Sequence, residues 1–307
     1  MKLKLGQLIG LGLAGLIILT GVRGARAQTV TKIVAIPPRK ELQVTPGQVT
    51  QDQIKVRNES DTELGIQVQI YDFIVADDQG TPVPVNEDLS ARWAASNWIQ
   101  VSPTKFVLKA GETKELDLVI ITPENAAPGG HYAVVFYQPV TSDDNPEGSA
   151  SFIAPNVGTL LYLTVPGEIK EEAFVRRLEI PRFSEFGPIK ITTEIENLSD
   201  IHIKPLGVIR IYNWFNRLAT TLKLEEQNIF PGRSRIYHNT WERKWLFGRY
   251  KAKLEAGYGR QGQSLVAVTY FWVIPWRVIL VALLALILLI LLIIYWRRRP
   301  EIEHNDY

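Results

Sequence analysis

The side chains best suited to binding chemistry in this chain are aromatic. Trp93 and Trp98 fall within the segment 88–99, where a short helix is expected. Indole faces match the apolar face of a pyranose, so the pair reads either as a platform for stacking sugars or as rings packed over the edge of a core. A second group, Trp214, Phe215, Trp241, Trp245 and Phe247, is interleaved with Arg217, Arg243, Lys244 and Arg249. Aromatic rings among cations form either a partner or membrane surface, or a core with a charged rim. Trp93, Trp98, Trp241 and Trp245 are therefore the candidate ligand or partner contacts.

Catalytic chemistry has fewer candidates. Cys is absent, which excludes a thiol nucleophile, a disulfide and a Cys-ligated metal. The four histidines, His131, His202, His238 and His304, are far apart in sequence. His131 follows Gly130 at the start of a strand and reads as a turn or surface histidine. Asp77 with Asp78, and the acids at 143–144, read as turn and loop carboxylates or as a weak calcium site, since EF-hand spacing is missing. No HExxH, Gly-x-Ser-x-Gly, Walker or dinucleotide motif occurs. The expectation is a non-enzymatic chain that uses no cofactor and acts by binding.

The ends of the chain set where that binding takes place. Lys2 and Lys4 precede an apolar stretch, and Ala25-Arg26-Ala27 matches a small-x-small cleavage site. Residues 1–27 therefore read as an export signal, cleaved before Gln28 or retained as an anchor. Residues 278–295 contain fifteen Leu, Ile or Val, two Ala and one Tyr. The stretch 273–296 is long enough to cross the hydrocarbon core and has no polar stripe. Trp276, Arg277 and Trp296 flank it, and Arg297, Arg298 and Arg299 follow. Positive residues stay on the cytoplasmic side, so the tail 297–307 is expected inside and residues 28–272 outside. That topology argues against a nucleic-acid partner. It leaves the bilayer, through the helix, as one expected partner.

Between the ends the pattern is that of β-strands. Ile54 and Val56, then Ile66, Val68 and Ile70, then Leu116, Leu118 and Ile120 alternate with polar neighbours. Tyr132, Val134 and Phe136 make a further run. Such period-2 segments, separated by Asn, Asp, Gly and Pro turns, imply antiparallel sheets with one face on a core. The pattern repeats after Pro166-Gly167. Asn58-Glu59-Ser60-Asp61 is echoed by Asn197-Leu198-Ser199-Asp200, Ala110-Gly111 by Pro231-Gly232, and Gly130-His131-Tyr132 by Gly248-Arg249-Tyr250. The fold class is all-β: two tandem Ig-like β-sandwiches, 28–166 and 167–272, followed by one C-terminal transmembrane helix. Residues 28–167 carry nine Lys+Arg against seventeen Asp+Glu, and residues 168–272 carry seventeen against twelve. This split reads as two solvated surfaces, or as a basic membrane-proximal domain facing anionic headgroups or an acidic partner.

The segment from Phe106 to Thr113, followed by Thr122-Pro123 and by Pro128-Gly129-Gly130-His131-Tyr132, is similar to a bacterial surface Ig-like module. Together with the layout of signal, two sandwiches, helix and basic stop, the chain resembles the WxL-interacting protein family. The resemblance implies a membrane-anchored surface protein that binds cell-wall polymer or another surface or envelope protein. It associates the first domain with peptidoglycan and the second with host or partner surfaces. The alternatives are a pilus-chaperone-like assembly factor acting by strand donation, and a non-catalytic subunit of an envelope complex.

Overall fold

The computed structural model describes residues 32–75, 77, 81–85, 92–140 and 157–297. The segment 1–27, Asp78, the acids at 143–144, His304, Arg298, Arg299 and the rest of the tail lie outside them.

The first sandwich packs two sheets. One has the order β1-β3-β8-β6, with β1 (Ile33–Ile36), β3 (Val49–Asn58), β8 (Thr113–Ile121) and β6 (Ile99–Ser102). The other has the order β2-β10-β9-β4-β5, with β2 (Arg39–Gln43), β10 (Val157–Val165), β9 (Gly129–Val140), β4 (Leu64–Val75) and β5 (Pro82–Val85). A short strand, β7 (Lys105–Leu108), also pairs with β4. The chain thus starts in one sheet as β1 and crosses to the other as β2, which runs parallel to β10. The alternating residues Ile54, Val56, Leu116, Leu118 and Ile120 are completely buried between the sheets. Their polar neighbours face water, as the two-residue period requires.

The second sandwich repeats the plan. The order β11-β13-β16 uses β11 (Ala173–Glu179), β13 (Ile189–Asn197) and β16 (Arg233–Trp241). It faces β12-β18-β17-β14-β15, built from β12 (Phe183–Ser184), β18 (Gln263–Val273), β17 (Gly248–Tyr258), β14 (Leu206–Tyr212) and β15 (Leu218–Lys223). Here too the first strand switches sheets, and β12 runs parallel to β18.

The repeated Asn-x-Ser-Asp turns have one physical job. Asn58 and Asn197 close β3 and β13, and both are completely buried. The Asn58 amide donates to the carbonyls of Thr62 at 2.7 Å and Leu108 at 3.1 Å, and its oxygen accepts the Ser60 N–H at 2.9 Å. The Asn197 amide donates to Ile201 at 2.9 Å and Ile229 at 2.8 Å, and its oxygen accepts the Ser199 N–H at 2.8 Å. Gly111 and Gly232, both in the left-handed region, donate their N–H groups to the Asn58 and Asn197 carbonyls at 2.9 Å and 2.8 Å. One buried amide thus satisfies a turn and a neighbouring loop together, which explains why the motif recurs.

After β18 the chain passes through Ile274 and Pro275 into α1 (Trp276–Arg297). Its 22 residues span about 33 Å at 1.5 Å each, enough to cross a bilayer by length and composition. The helix begins at Trp276, a few residues after the expected start at 273, because β18 runs on to Val273.

Candidate functional site

Trp93 and Trp98 are held by a buried carboxylate. Asp72, on β4, accepts the N–H groups of Ala95 and Ser96 at 2.8 Å and the Ser96 hydroxyl at 2.9 Å. This pins a single 3-10 turn, Ser96–Trp98, where a short helix was expected. The Trp98 ring lies 4.4 Å from the imidazole of His131 and packs on the core of the first sandwich. His131 is buried, 1% exposed, with Nε2 2.8 Å from the Ala127 carbonyl. Burial depresses its pKa, and the carbonyl contacts oppose that shift. It is not the turn or surface histidine expected from its place beside Gly130. Trp93 is half-buried against a second aromatic cluster, and its indole N–H is buried with no partner among the described residues. Its backbone carbonyl accepts the Tyr132 N–H at 2.8 Å.

That second cluster joins the two sandwiches. β9 is buried on both faces along 129–137. Ala133, Val135 and Tyr137 face the sandwich core. Tyr132, Val134 and Phe136, expected to fill that core, face the other way. Phe230 of the second sandwich inserts among Phe73, Tyr132 and Tyr162, with ring centroids 5.5, 4.9 and 5.4 Å away. His202 completes the cluster 5.0 Å from the Tyr162 ring. The Tyr132 hydroxyl accepts the His202 backbone N–H at 2.8 Å and lies 3.1 Å from the His202 Nδ1. Burial drives the His202 pKa down to about 4, with Glu41 opposing. The same burial pushes the Tyr132 pKa up. Gly130 donates to the Asp200 carbonyl at 2.9 Å, and Arg92 pairs with the Asp200 carboxylate. A Cβ on Gly129 would meet that carbonyl at 2.5 Å, so only glycine allows the two backbones to approach so closely. An open depression of about 220 Å³ lies beside His202; in it Arg260 is tied to Glu171 at 2.8 Å.

The tryptophans of the second sandwich separate. Trp241 is 5% exposed and packs in the core, its ring 5.3 Å from Tyr250. As the last residue of β16 it points inward, and a ring so enclosed has no face left for a partner. Trp245 is 59% exposed. Trp276 and Arg277 open α1, the Arg277 guanidinium lies 5.4 Å from the Trp276 ring, and Trp296 and Arg297 close the helix.

A feature that sequence reading missed is the outer edge of β18. β17 pairs with β18 along its whole length. On the other side, β12 covers Trp272 and Val273 alone. The Trp272 N–H donates to the Arg182 carbonyl at 2.9 Å, so Trp272 points its backbone away from β17. By the two-residue period, Val266, Val268 and Tyr270 point theirs the same way. Among the described residues, no strand hydrogen-bonds to them there, although β11 of the facing sheet passes close to β18. Their side chains are also outward and 56%, 48% and 50% exposed. The signal was the alternation from Val266 to Trp272. Which edge lay open was not readable, because that depends on where β12 ends.

No family model and no curated protein matches the chain. Among solved structures it is similar to the class 5 fimbriae chaperone CfaA, at 17% identity over 78% of this chain and 99% of that one, with a TM-score of 0.40. It is similar to the E. coli chaperone DraB at 13% identity, over 79% and 95% of the chains, with a TM-score of 0.35. The Pseudomonas aeruginosa CupB2 chaperone matches at 10% identity, over 76% and 98%, with a TM-score of 0.36.

Proposed function

We propose that this chain is a non-catalytic, membrane-tethered binding module of the cell envelope, and that its partner is a protein. In this reading α1 spans the bilayer. Arg297, with Arg298 and Arg299 behind it in sequence, stays on the cytoplasmic side, and both sandwiches stand outside. The order of sandwiches, helix and basic stop also supports placing the chain with the WxL-interacting protein architecture.

The observation that carries a protein partner is the open edge of β18. Val266, Val268 and Tyr270 offer free backbone groups and exposed apolar side chains on the same residues. An extended segment of a partner would add there as a new strand. Its main chain would supply affinity and its alternate side chains specificity. Each backbone hydrogen bond would contribute about 1 kcal/mol net. Strand donation from β10 has less support, since β9 and β2 flank that strand along 160–164.

The test is a photo-cross-linking amino acid at Val266 of the full chain in its own membrane. The same probe at Val107, exposed on β7, serves as the reference. A discrete protein adduct at Val266, lost when Val268→Pro blocks the edge, is the expected result. The same adducts from Val107, or none from Val266, would sink the reading.

A further inference from the structure

The second sandwich has two unlike ends. Strand register places Asn197, Asp200, His202 and Phe230 at the end that meets the first sandwich. The opposite end gathers four segments. Gly248 pairs with Val273, Tyr212 with Lys251, and Ile189 with Trp241. The hairpin 213–217, the loop 242–247, the turn 185–188 and the exit into α1 therefore lie together. Between the two ends runs β17, 11 residues and about 35 Å long.

The exit end carries aromatic rings in water. Trp214, Phe215, Trp245 and Phe247 are 57–71% exposed. The hairpin is built to hold its pair outward: Asn213 accepts the N–H groups of Phe215 and Arg217 at 3.0 Å with its side chain. Trp214 meets Phe215 at 5.0 Å and Phe247 at 6.4 Å, and Trp245 packs edge-on to Phe186 at 5.2 Å. Among the described residues, the first sandwich exposes no Trp or Phe to this degree. The four segments, taken with the flanking Arg182 and Arg249, hold five Lys/Arg, among them Arg217, Arg243 and Lys244, against Glu185 and Glu242. Glu185 faces Arg277 at the head of the helix, 3.5 Å away.

We propose that this end rests on the bilayer, with Trp214, Phe215, Trp245 and Phe247 in the headgroup–acyl boundary and Arg243 and Lys244 on anionic headgroups. The proposal rests on reading α1 as a membrane span. Only Ile274 and Pro275 separate β18 from α1. A two-residue link reaches about 7 Å, so the rings cannot stand far above the surface that the helix enters. The Arg277–Glu185 contact shortens the distance further. Trp and Phe beside Lys and Arg are the side chains that settle at such an interface, through apolar burial and attraction to anionic lipid. The module would stand upright on this foot, with the joint held about 35 Å above the lipid.

The test exploits the absence of Cys, which makes an introduced Cys the sole thiol. The full chain carrying Phe215→Cys, labelled with an environment-sensitive fluorophore, is reconstituted in phosphatidylcholine vesicles with or without phosphatidylglycerol. Trp245→Cys is a second labelled site, and Val107→Cys in the first sandwich is the reference. Nitroxide lipids should quench the Phe215 and Trp245 labels several-fold more than the Val107 label, with a blue shift that deepens in the anionic vesicles. Arg243→Gln with Lys244→Gln should abolish the anionic increment. Labels at Phe215 and Trp245 as water-exposed as the one at Val107 would overturn the proposal. Resistance of the chain to alkaline carbonate reports the span separately. Retention with water-exposed labels removes the docking alone, whereas extraction removes the span and the docking with it.

Discussion

In the first sandwich the last strand, β10, is flanked along 160–164 by the five residues of β2. That strand presents Arg39, Lys40 and Glu41, and Lys40 reaches across to Asp52 at 2.6 Å. In the second sandwich the matching strand, β18, is flanked by β12 for two residues, and beyond them its outward side chains are Val266, Val268 and Tyr270. The same sheet-switching first strand thus closes one edge with charge and leaves the other open and apolar. Charged, short edge strands are how sheets avoid unwanted pairing. The domain that lacks this protection is the one next to the helix, so the open edge lies on the α1 side of the joint and the sealed one beyond it.

The contrast depends on the two sandwiches being held as one body, so the joint is where breaking it costs most. Phe230→Ala removes the ring between Phe73, Tyr132 and Tyr162 and is expected to cost about 3–5 kcal/mol. Calorimetry should then resolve two transitions where the parent shows one. Acid should act on the same place. His202 has a folded pKa of about 4 against 6.5 unperturbed. The unfolded chain therefore binds more protons between these values, and stability falls as pH drops through that window, by about 3 kcal/mol in all, and is flat above it. Denaturant midpoints across the window measure this, and His202→Gln should reduce the slope to the part that the buried His131 contributes.

Asn58→Ala and Asn197→Ala test whether the repeats are physically equal. Each leaves buried carbonyls unpartnered and should cost roughly 1–3 kcal/mol. Unequal losses in chemical denaturation would show that one turn has support the other lacks. The smallest effect on stability, within about 0.5 kcal/mol, is expected from Val268→Lys on the exposed edge. It should nonetheless abolish the adduct formed from Val266. Retention of the adduct would mean that the open edge is not what the partner reads.

Much of this was legible in the chain. The alternation at 54–56 and 116–120, the paired Asn-x-Ser-Asp turns and the glycines at 111 and 232 gave strands, cores and an internal repeat, and the structure places all of them equivalently. His131 was misplaced, and Trp241 was left between core and contact surface, for one reason. Local sequence reports which residues alternate; it does not report what packs over them from another strand. His131 is covered by Trp98 from a distant turn, and Trp241 ends a strand whose inward face follows from its register with β13.

Period, turn chemistry and apolar run length are properties of neighbours along the chain, and these determined the β class, the repeat and a C-terminal helix long and apolar enough to cross a membrane. The tertiary structure decided everything that depends on which segments meet. It turned Tyr132 outward to hold Phe230 and His202, sealed β10 while leaving β18 open, and gathered Trp214, Trp245 and Phe247 around the exit to the helix. Each of these is set by contacts between residues dozens of positions apart, and a local pattern carries no information about them until the sheets have paired.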